Sequence, residues 1–355
     1  MEHTHSLYAK EFLLSIHISL FFEKTNKRNF ERREGNIMLE RYNIRTDLAL
    51  EQKERFEDDN VEVQGVVLEE DYDDQLEIRT TKVMIQTEKG AKVMGKPVGT
   101  YITIEATDMP VPDEAYHKEL SKRIARHIEG LIKEEKEEYS VLVAGLGNRE
   151  VTPDAVGPYV ADHLSITRHI VKEYGKYAMG EEKVHLTSAI VPGVMAQTGM
   201  ETVEIIKGIV AETKPDFVIA VDALAARNSK RLNRTIQIAD TGINPGSGVG
   251  NHRNAITKET VGVPVIAIGV PTVVDAATIV NDTMENLVKA METSELLKGV
   301  GVVLQGYHAA EKYELIKELI SPHLNGMFMT PKDIDETVRV ISHTISDGLN
   351  LLFMS

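Results

Sequence analysis

Hydrophobic positions recur with two different periods along this chain, and the change of period divides it. Between Val61 and Thr107 the segments VEVQGVVL, LEIRTTKVMIQT and GTYITIEAT alternate or are rich in β-branched residues, as half-buried strands are. Acidic or Gly/Lys turns separate them, which predicts an antiparallel meander with one solvated face. Pro110 and Pro112 close it. Asp113 to Glu138 is helical in pattern, with Ile124, His127, Ile128, Leu131 and Ile132 on one stripe and charges opposite,.

From Ser140 the pattern becomes an alternation of strands and helices. SVLVAGLG, VHLTSAI, DFVIAVDAL and PVIAIGVP are unbroken apolar runs, the signature of parallel strands buried on both faces. Helices are predicted over Thr152 to Leu164 and Gly199 to Thr213. TIQIAD, Thr235 to Asp240, reads as a short edge strand, and Gly242 to Asn254 as a long glycine-rich loop beside a cleft. A last helix, Met329 to Leu352, is expected to open at Thr330-Pro331, an N-cap followed by proline at the first helical position. The expected fold is α/β: three αβα layers around a mostly parallel sheet, plus the antiparallel meander. No repeat, linker or low-complexity tract interrupts it.

The first 37 residues differ. They hold four of the eight Phe and six Lys/Arg against five Asp/Glu, in a chain of net charge −15. Arg32-Arg33-Glu34-Gly35 precedes Met38 and can be encoded by an all-purine stretch resembling a ribosome-binding site. Residues 1–37 read either as upstream sequence with the native start at Met38, or as a disordered or helical extension. Leu13 to Phe22 is too short and too broken for a membrane span, and it lacks the flanks of a signal peptide. A cytoplasmic protein is the expectation.

Charge and composition then remove function classes. With 355 residues, 42% hydrophobic and 27% charged, the chain has ample material for a core,. A net charge of −15 argues against binding a phosphate backbone,. The absence of Cys excludes disulfides, thiolate zinc sites, iron–sulfur clusters and a cysteine nucleophile,. Gly145-x-Gly147 has Glu150 where a dinucleotide fingerprint needs its third glycine, and Gly246 to Gly250 does not match a P-loop,. Histidines with ligand spacing and a partner set for Ser247 are both lacking, so no cofactor is expected.

Ligands of open α/β sheets bind outside the carboxyl ends of the strands, and three acids fall there. Asp154 follows SVLVA by way of Gly145-Leu146-Gly147-Asn148 and Thr152-Pro153. Its plain alternative is to stabilise a helix start, worth about 0.3–1 kcal/mol. Asp222 ends the run FVIAV and is followed by small residues, a place less easily explained by capping. Asp275 follows Pro271-Thr272 and reads as a helix cap. If the strands ending at Gly145 and Val221 are neighbours, Asp154 and Asp222 share one crevice. Two close carboxylates do not both ionise cheaply, so one would hold a proton. Such a pair could activate water against an amide, or hold a divalent ion.

Gly145-Leu146-Gly147-Asn148, Val151-Thr152-Pro153-Asp154-Ala155-Val156-Gly157-Pro158, Pro192-Gly193-Val194-Met195 and Val221-Asp222-Ala223-Leu224-Ala225-Ala226 resemble the germination proteases, the spore endopeptidases of spore-forming Firmicutes. So do Lys214 to Ile219, Asp240 to Ile243, Pro245 to Gly250 and Gly269 to Asp275. The resemblance runs from about Met38 to the C-terminus. It implies an aspartic-type endopeptidase that degrades small acid-soluble spore proteins in the forespore and spore core, with no cofactor. It further implies a homotetramer, a self-processing zymogen, a fold related to the hydrogenase maturation endopeptidases, and Asp154 and Asp222 as the catalytic acids. Arg45-Thr46-Asp47-Leu48-Ala49-Leu50-Glu51 resembles the family's processing site, itself a copy of the spore-protein target Thr-Glu-(Ile/Phe)-Ala-(Ser/Gly)-Glu. Cleavage is therefore expected between Asp47 and Leu48, making 38–47 a propeptide and 48–355 one peptidase domain. The substrate's acid calls for a cation, and Arg227, Lys230, Arg231 and Arg253 are the candidates; solvated surface bases are the alternative. A metal-dependent maturation endopeptidase, a peptidyl-tRNA hydrolase (disfavoured by the acidity) and a non-catalytic binding module are the competing readings.

Overall fold

Side chains alternate across a strand, so an unbroken apolar run needs cover on both faces. The computed structural model describes residues 48, 64–133, 136–175, 178, 180, 184–246, 253–292 and 326–354, all within the compact unit Arg45–Ser355. Among them the strands are β1 (Val66–Asp73), β2 (Ile78–Ile85), β3 (Gly99–Ala106), β4 (Ser140–Gly145), β5 (Leu186–Ile190), β6 (Phe217–Ala226), β7 (Thr235–Ala239), β8 (Val265–Asp275) and β9 (Phe328–Met329). They form one sheet in the order β1-β2-β3-β7-β8-β6-β4-β5, with β9 paired to β8.

The helices are α1 (Glu88–Met94), α2 (Glu114–Glu129), α3 (Val156–Asp162), α4 (Arg168–Tyr174), α5 (Met195–Thr198), α6 (Thr202–Thr213), α7 (Lys258–Val261), α8 (Ala276–Glu292) and α9 (Ile334–Phe353). Val141, Val143, Ile219 and Val221 face a core shared with Ile124 and Ile128 of α2, Val156 and Val160 of α3, and Ile341 and Ile345 of α9. Leu142, Ala144, Val218 and Ala220 face the other way, against Val203, Ile206 and Val210 of α6 and Val261 of α7. This is the three-layer α/β architecture expected from the runs.

The sheet itself is mixed. Parallel pairing is confined to β5-β4-β6-β8. The meander is no separate unit: it continues the same sheet through β7, which is antiparallel to both β3 and β8. TIQIAD is therefore an interior strand, correcting the edge expectation. Ile236 and Ile238 fill one face, while small Thr235 and Ala239 let the other close over.

Helix boundaries moved where glycine or a competing hydrogen bond intervened. α2 is capped by Asp113, whose carboxylate accepts from Tyr116 N at 3.0 Å, but it stops before Gly130 rather than at Glu138. Thr330 does not cap α9; its hydroxyl donates to the Thr272 carbonyl at 2.8 Å, and α9 starts at Ile334. Asp275 does cap α8, accepting from Thr278 N at 2.6 Å. Helix α1 was unforeseen in a segment read as a Gly/Lys turn. Thr87 caps it, and its Met94 is fully buried.

Candidate active site

The chain leaves β4 for β5 on one side and later returns to place β6 on the other. The intervening helices lie on opposite faces, α3 with one core and α6 with the other. A crevice forms where the direction of winding reverses, outside the carboxyl ends of the strands. Gly145 pairs with Val221, where β4 ends. β6 instead runs on to Ala226, paired only with β8. Asp222 is thus the first residue of β6 beyond its β4 partner, at the open side of that crevice.

Glycines bring the next segment down onto this place. A Cβ on Gly157 would lie 2.3 Å from the Leu146 carbonyl oxygen and 2.4 Å from both Leu146 N and Val221 O. Helix α3 therefore rests on the backbone where β4 ends beside β6. Gly147, at φ +111°, turns the chain where a Cβ would stand 1.9 Å from the Asp154 carbonyl oxygen.

Thr152–Asp154 is a single 3₁₀ turn, and α3 begins after it with no side-chain cap. Asp154 therefore makes no side-chain cap to α3, although it remains the acid of the turn that leads into that helix. Its carboxylate reaches back and accepts from Asn148 N at 2.7 Å. The turn is fixed from below by Thr272 of β8, whose hydroxyl donates to the Pro153 carbonyl at 2.6 Å. It packs against both β6 and β8, which brings Asp154 to the strand end that carries Asp222. Asp222 is 5% exposed, and its Oδ1 accepts from Ala223 N at 3.0 Å.

Burial pushes the Asp154 carboxyl above the usual carboxylate range, with the Asn148 N–H bond and the Arg253 charge pulling the other way,. An acid in such a setting holds its proton to higher pH and can donate it. Sequence reasoning gave Asn148 and Gln197 no role. The Asn148 side chain accepts from Glu150 N at 3.1 Å and from Gln197 Nε2 at 3.0 Å, so it holds the loop whose N–H grips Asp154. Val151 and Met195 stand exposed on the rim beside these contacts, at 47% and 44%.

The four candidate cations separate. Arg253 is the one whose charge reaches Asp154. Arg231 is buried and its Nε donates to Glu105 at 2.9 Å, so this side chain is committed to holding β3, contrary to a free substrate cation. Lys230 is exposed, and Arg227 is half-buried just past the end of β6. Leu48 is fully buried. Asp47, Ser247 and the stretch 247–252 of the glycine-rich loop lie outside the described residues, as do 1–47 as a whole. Among the described residues no three His, Asp or Glu side chains gather where they could hold a metal ion, and no helix is long and apolar enough to cross a membrane.

The family described as germination protease matches this chain over residues 44–298. The germination protease of Caldanaerobacter subterraneus subsp. tengcongensis is 48% identical over 309 residues, covering 87% of this chain and 93% of that protein. That of Clostridium perfringens strain SM101 is 45% identical over 312 residues, covering 87% and 95%. That of Bacillus pumilus strain SAFR-032 is 38% identical, covering 88% and 94%. Among solved structures, the NiFe hydrogenase maturation protease HycI of Thermococcus kodakarensis overlaps 41% of this chain and 80% of its own, at 23% identity. Its TM-score of 0.26 is too slight to argue from.

Proposed function

Since this chain belongs to the germination protease family, and so is a peptidase, we propose that it cleaves small acid-soluble, DNA-binding spore proteins during germination, using Asp154 and Asp222. The same reading makes it a zymogen that cuts itself between Asp47 and Leu48, and a homotetramer of the forespore and spore core. The observation that supports the reading is a buried acid, Asp154, whose burial favours its protonated form, on a turn packed against β6, the strand that carries Asp222 beyond its β4 partner.

The chemistry divides between them. Asp222, as carboxylate, takes a proton from water while the water oxygen bonds to the scissile carbonyl carbon. Asp154, as acid, gives its proton to the departing amide nitrogen as the C–N bond breaks. The cycle leaves Asp222 protonated and Asp154 ionised, and one proton exchange restores them. Arg253, whose charge already reaches Asp154, is placed to receive an acidic side chain next to the scissile bond. Val151 and Met195 offer apolar surface for the large residue on its other side.

The test is digestion of a purified small acid-soluble spore protein, with product masses and N-terminal sequencing of the enzyme itself. Cuts after an acid and before a large apolar residue are expected, along with a mature enzyme beginning at Leu48. An intact spore protein would overturn the substrate assignment, and a mature N-terminus elsewhere would overturn the processing site.

Arg253 gives a second measurement. Its positive charge favours the ionised form of Asp154, so Arg253→Gln raises the Asp154 pKa further and keeps the acid form to higher pH. The alkaline limb of kcat against pH moves upward in the variant. A limb that stays put or moves down removes either Arg253 from the site or Asp154 from the acid role.

A further inference from the structure

The side chain of Asn148 carries one group that the fold does not use. Its Oδ1 accepts from Glu150 N at 3.1 Å and from Gln197 Nε2 at 3.0 Å. A backbone N–H only donates, so the Glu150 bond fixes which arm of the amide is oxygen. The other arm, Nδ2, presents two N–H donors, and among the described residues no acceptor meets them. Asn148 is half-buried, yet Nδ2 is not among the buried atoms that lack a partner. It therefore opens to solvent.

The residue is held on every other side. Its N donates to Asp154 Oδ2 at 2.7 Å, and its carbonyl accepts from Val151 N at 3.1 Å. With backbone and Oδ1 both fixed, the ordering cost of the side chain is met before any ligand arrives. Two donors on Oδ1 also polarise the amide and strengthen its N–H groups as donors. The plain alternative is a brace for the loop. A brace needs only the oxygen, and an aspartate would accept both hydrogen bonds as charge-assisted ones. Asparagine differs from it by the donor arm.

That arm lies close to the acid. Nδ2 is four bonds from the N that holds Asp154, so the two nitrogens are at most about 5 Å apart. Asp154 Oδ2 stands 2.7 Å beyond that N. The nitrogen and oxygen of one peptide group are about 2.3 Å apart, and a hydrogen bond adds about 3 Å at each end. A single peptide group thus spans from Asp154 to Asn148 Nδ2, its nitrogen toward the acid and its oxygen toward the amide.

We propose that Asn148 is a further catalytic residue, whose Nδ2 donates to the oxygen of the scissile carbonyl. As water bonds to the carbonyl carbon, the C=O π pair moves onto that oxygen, and the hydrogen bond strengthens with the charge. The pair returns when the C–N bond breaks, so Asn148 ends each cycle unchanged. Gln197 is a positioning residue, acting through Oδ1. The assignment rests on the peptidase reading above and supplies what its two acids lack, a donor for the oxygen that becomes negative.

The test compares wild type with Asn148→Asp on a purified spore protein and on a peptide spanning residues 40–56. The variant keeps the side chain's size and both acceptor contacts and loses the donor. Its added charge raises the Asp154 pKa, so rates are read on the acid side of the alkaline limb, where both proteins hold that proton. There kcat is expected to fall about 10²–10³-fold, with KM within about threefold and no lower thermal melt. A second peptide carries sulfur in place of the scissile carbonyl oxygen. Sulfur is the weaker acceptor, so wild type prefers the oxygen peptide, and Asn148→Asp should shrink that preference at least about threefold. A brace would leave this ratio unmoved. Wild-type kcat in the variant, a loss carried by KM, or an equal oxygen-to-sulfur ratio in the two proteins overturns the donor role. An intact spore protein would count instead against the substrate assignment, and the peptide still carries the comparison. An intact peptide would count against the processing site, and the sulfur ratio is then read on a peptide copied from a bond cut in the spore protein.

Discussion

If the proposed roles hold, Asp222→Asn and Asp154→Asn are each expected to leave a folded protein that cuts a spore protein about 10²–10⁴-fold more slowly, the loss that follows removal of a general acid or base. Asparagine keeps the size of the side chain and one carbonyl oxygen. At position 154 that oxygen can still accept the Asn148 N–H, now held at 2.7 Å; at 222 it can still accept from Ala223. What disappears is proton transfer. Stability separates this from misfolding, and its sign can be worked out. Burial raises the Asp154 pKa, so its contribution to stability is fully present below the unfolded value of 3.8 and is lost as pH rises through the folded value,. At neutral pH the wild type therefore carries a penalty that Asn does not, and Asp154→Asn melts no lower than wild type. Initial rates with a thermal melt on the same sample check both halves. Full activity in either variant removes that residue from the chemistry.

The parts of this site that were legible in the sequence share one property: their information is local. Three of the four runs announced strands buried on both faces, β4, β6 and β8,, whereas β5, last in the strand order and bearing Thr187 and Ser188, is mostly half-buried. Asp222 stood out because an acid directly after such a run is costly unless it is used. Asp154 was legible as a candidate but not in its geometry. Thr-Pro-Asp fits a helix N-terminus, and only the fold shows a 3₁₀ turn whose carboxylate points back to Asn148. The remaining misses are contacts across long sequence separations. Gln197 meets Asn148 from 49 residues away, and Arg231 meets Glu105 from 126. β7 read as an edge because nothing in five residues says that β3, more than a hundred residues earlier, will lie beside it. Arg231 read as a free cation for the same reason. Local pattern gives the elements and the strand ends; which side chains are spent holding distant segments together is decided by topology.

Gly157→Ala is expected to do large damage by steric conflict alone, without touching a carboxylate. Its Cβ would stand 2.3–2.4 Å from Leu146 N, Leu146 O and Val221 O, all backbone atoms of the β4–β6 junction that cannot rotate aside. Helix α3 must lift, and the 3₁₀ turn with Asp154 must shift with it. The steric effect stands alone here, because Gly157 lies within α3 and is not among the positive-φ glycines. Helix propensity by itself would favour alanine by about 1 kcal/mol. Overpacking costs typically about 1–3 kcal/mol, and rigid backbone on three sides puts this case at the upper end. Gly208 supplies the control: it lies in α6 with no atom within 4 Å of the added Cβ, so Gly208→Ala should hold or raise the urea midpoint. Gly157→Ala should lower it and reduce cleavage together. If the two alanines prove equally harmless, the helix does not sit on the junction of β4 and β6. The proposed pairing of Asp154 with Asp222 then loses its support, because it depends on the close seating of α3 on the backbone of Leu146 and Val221.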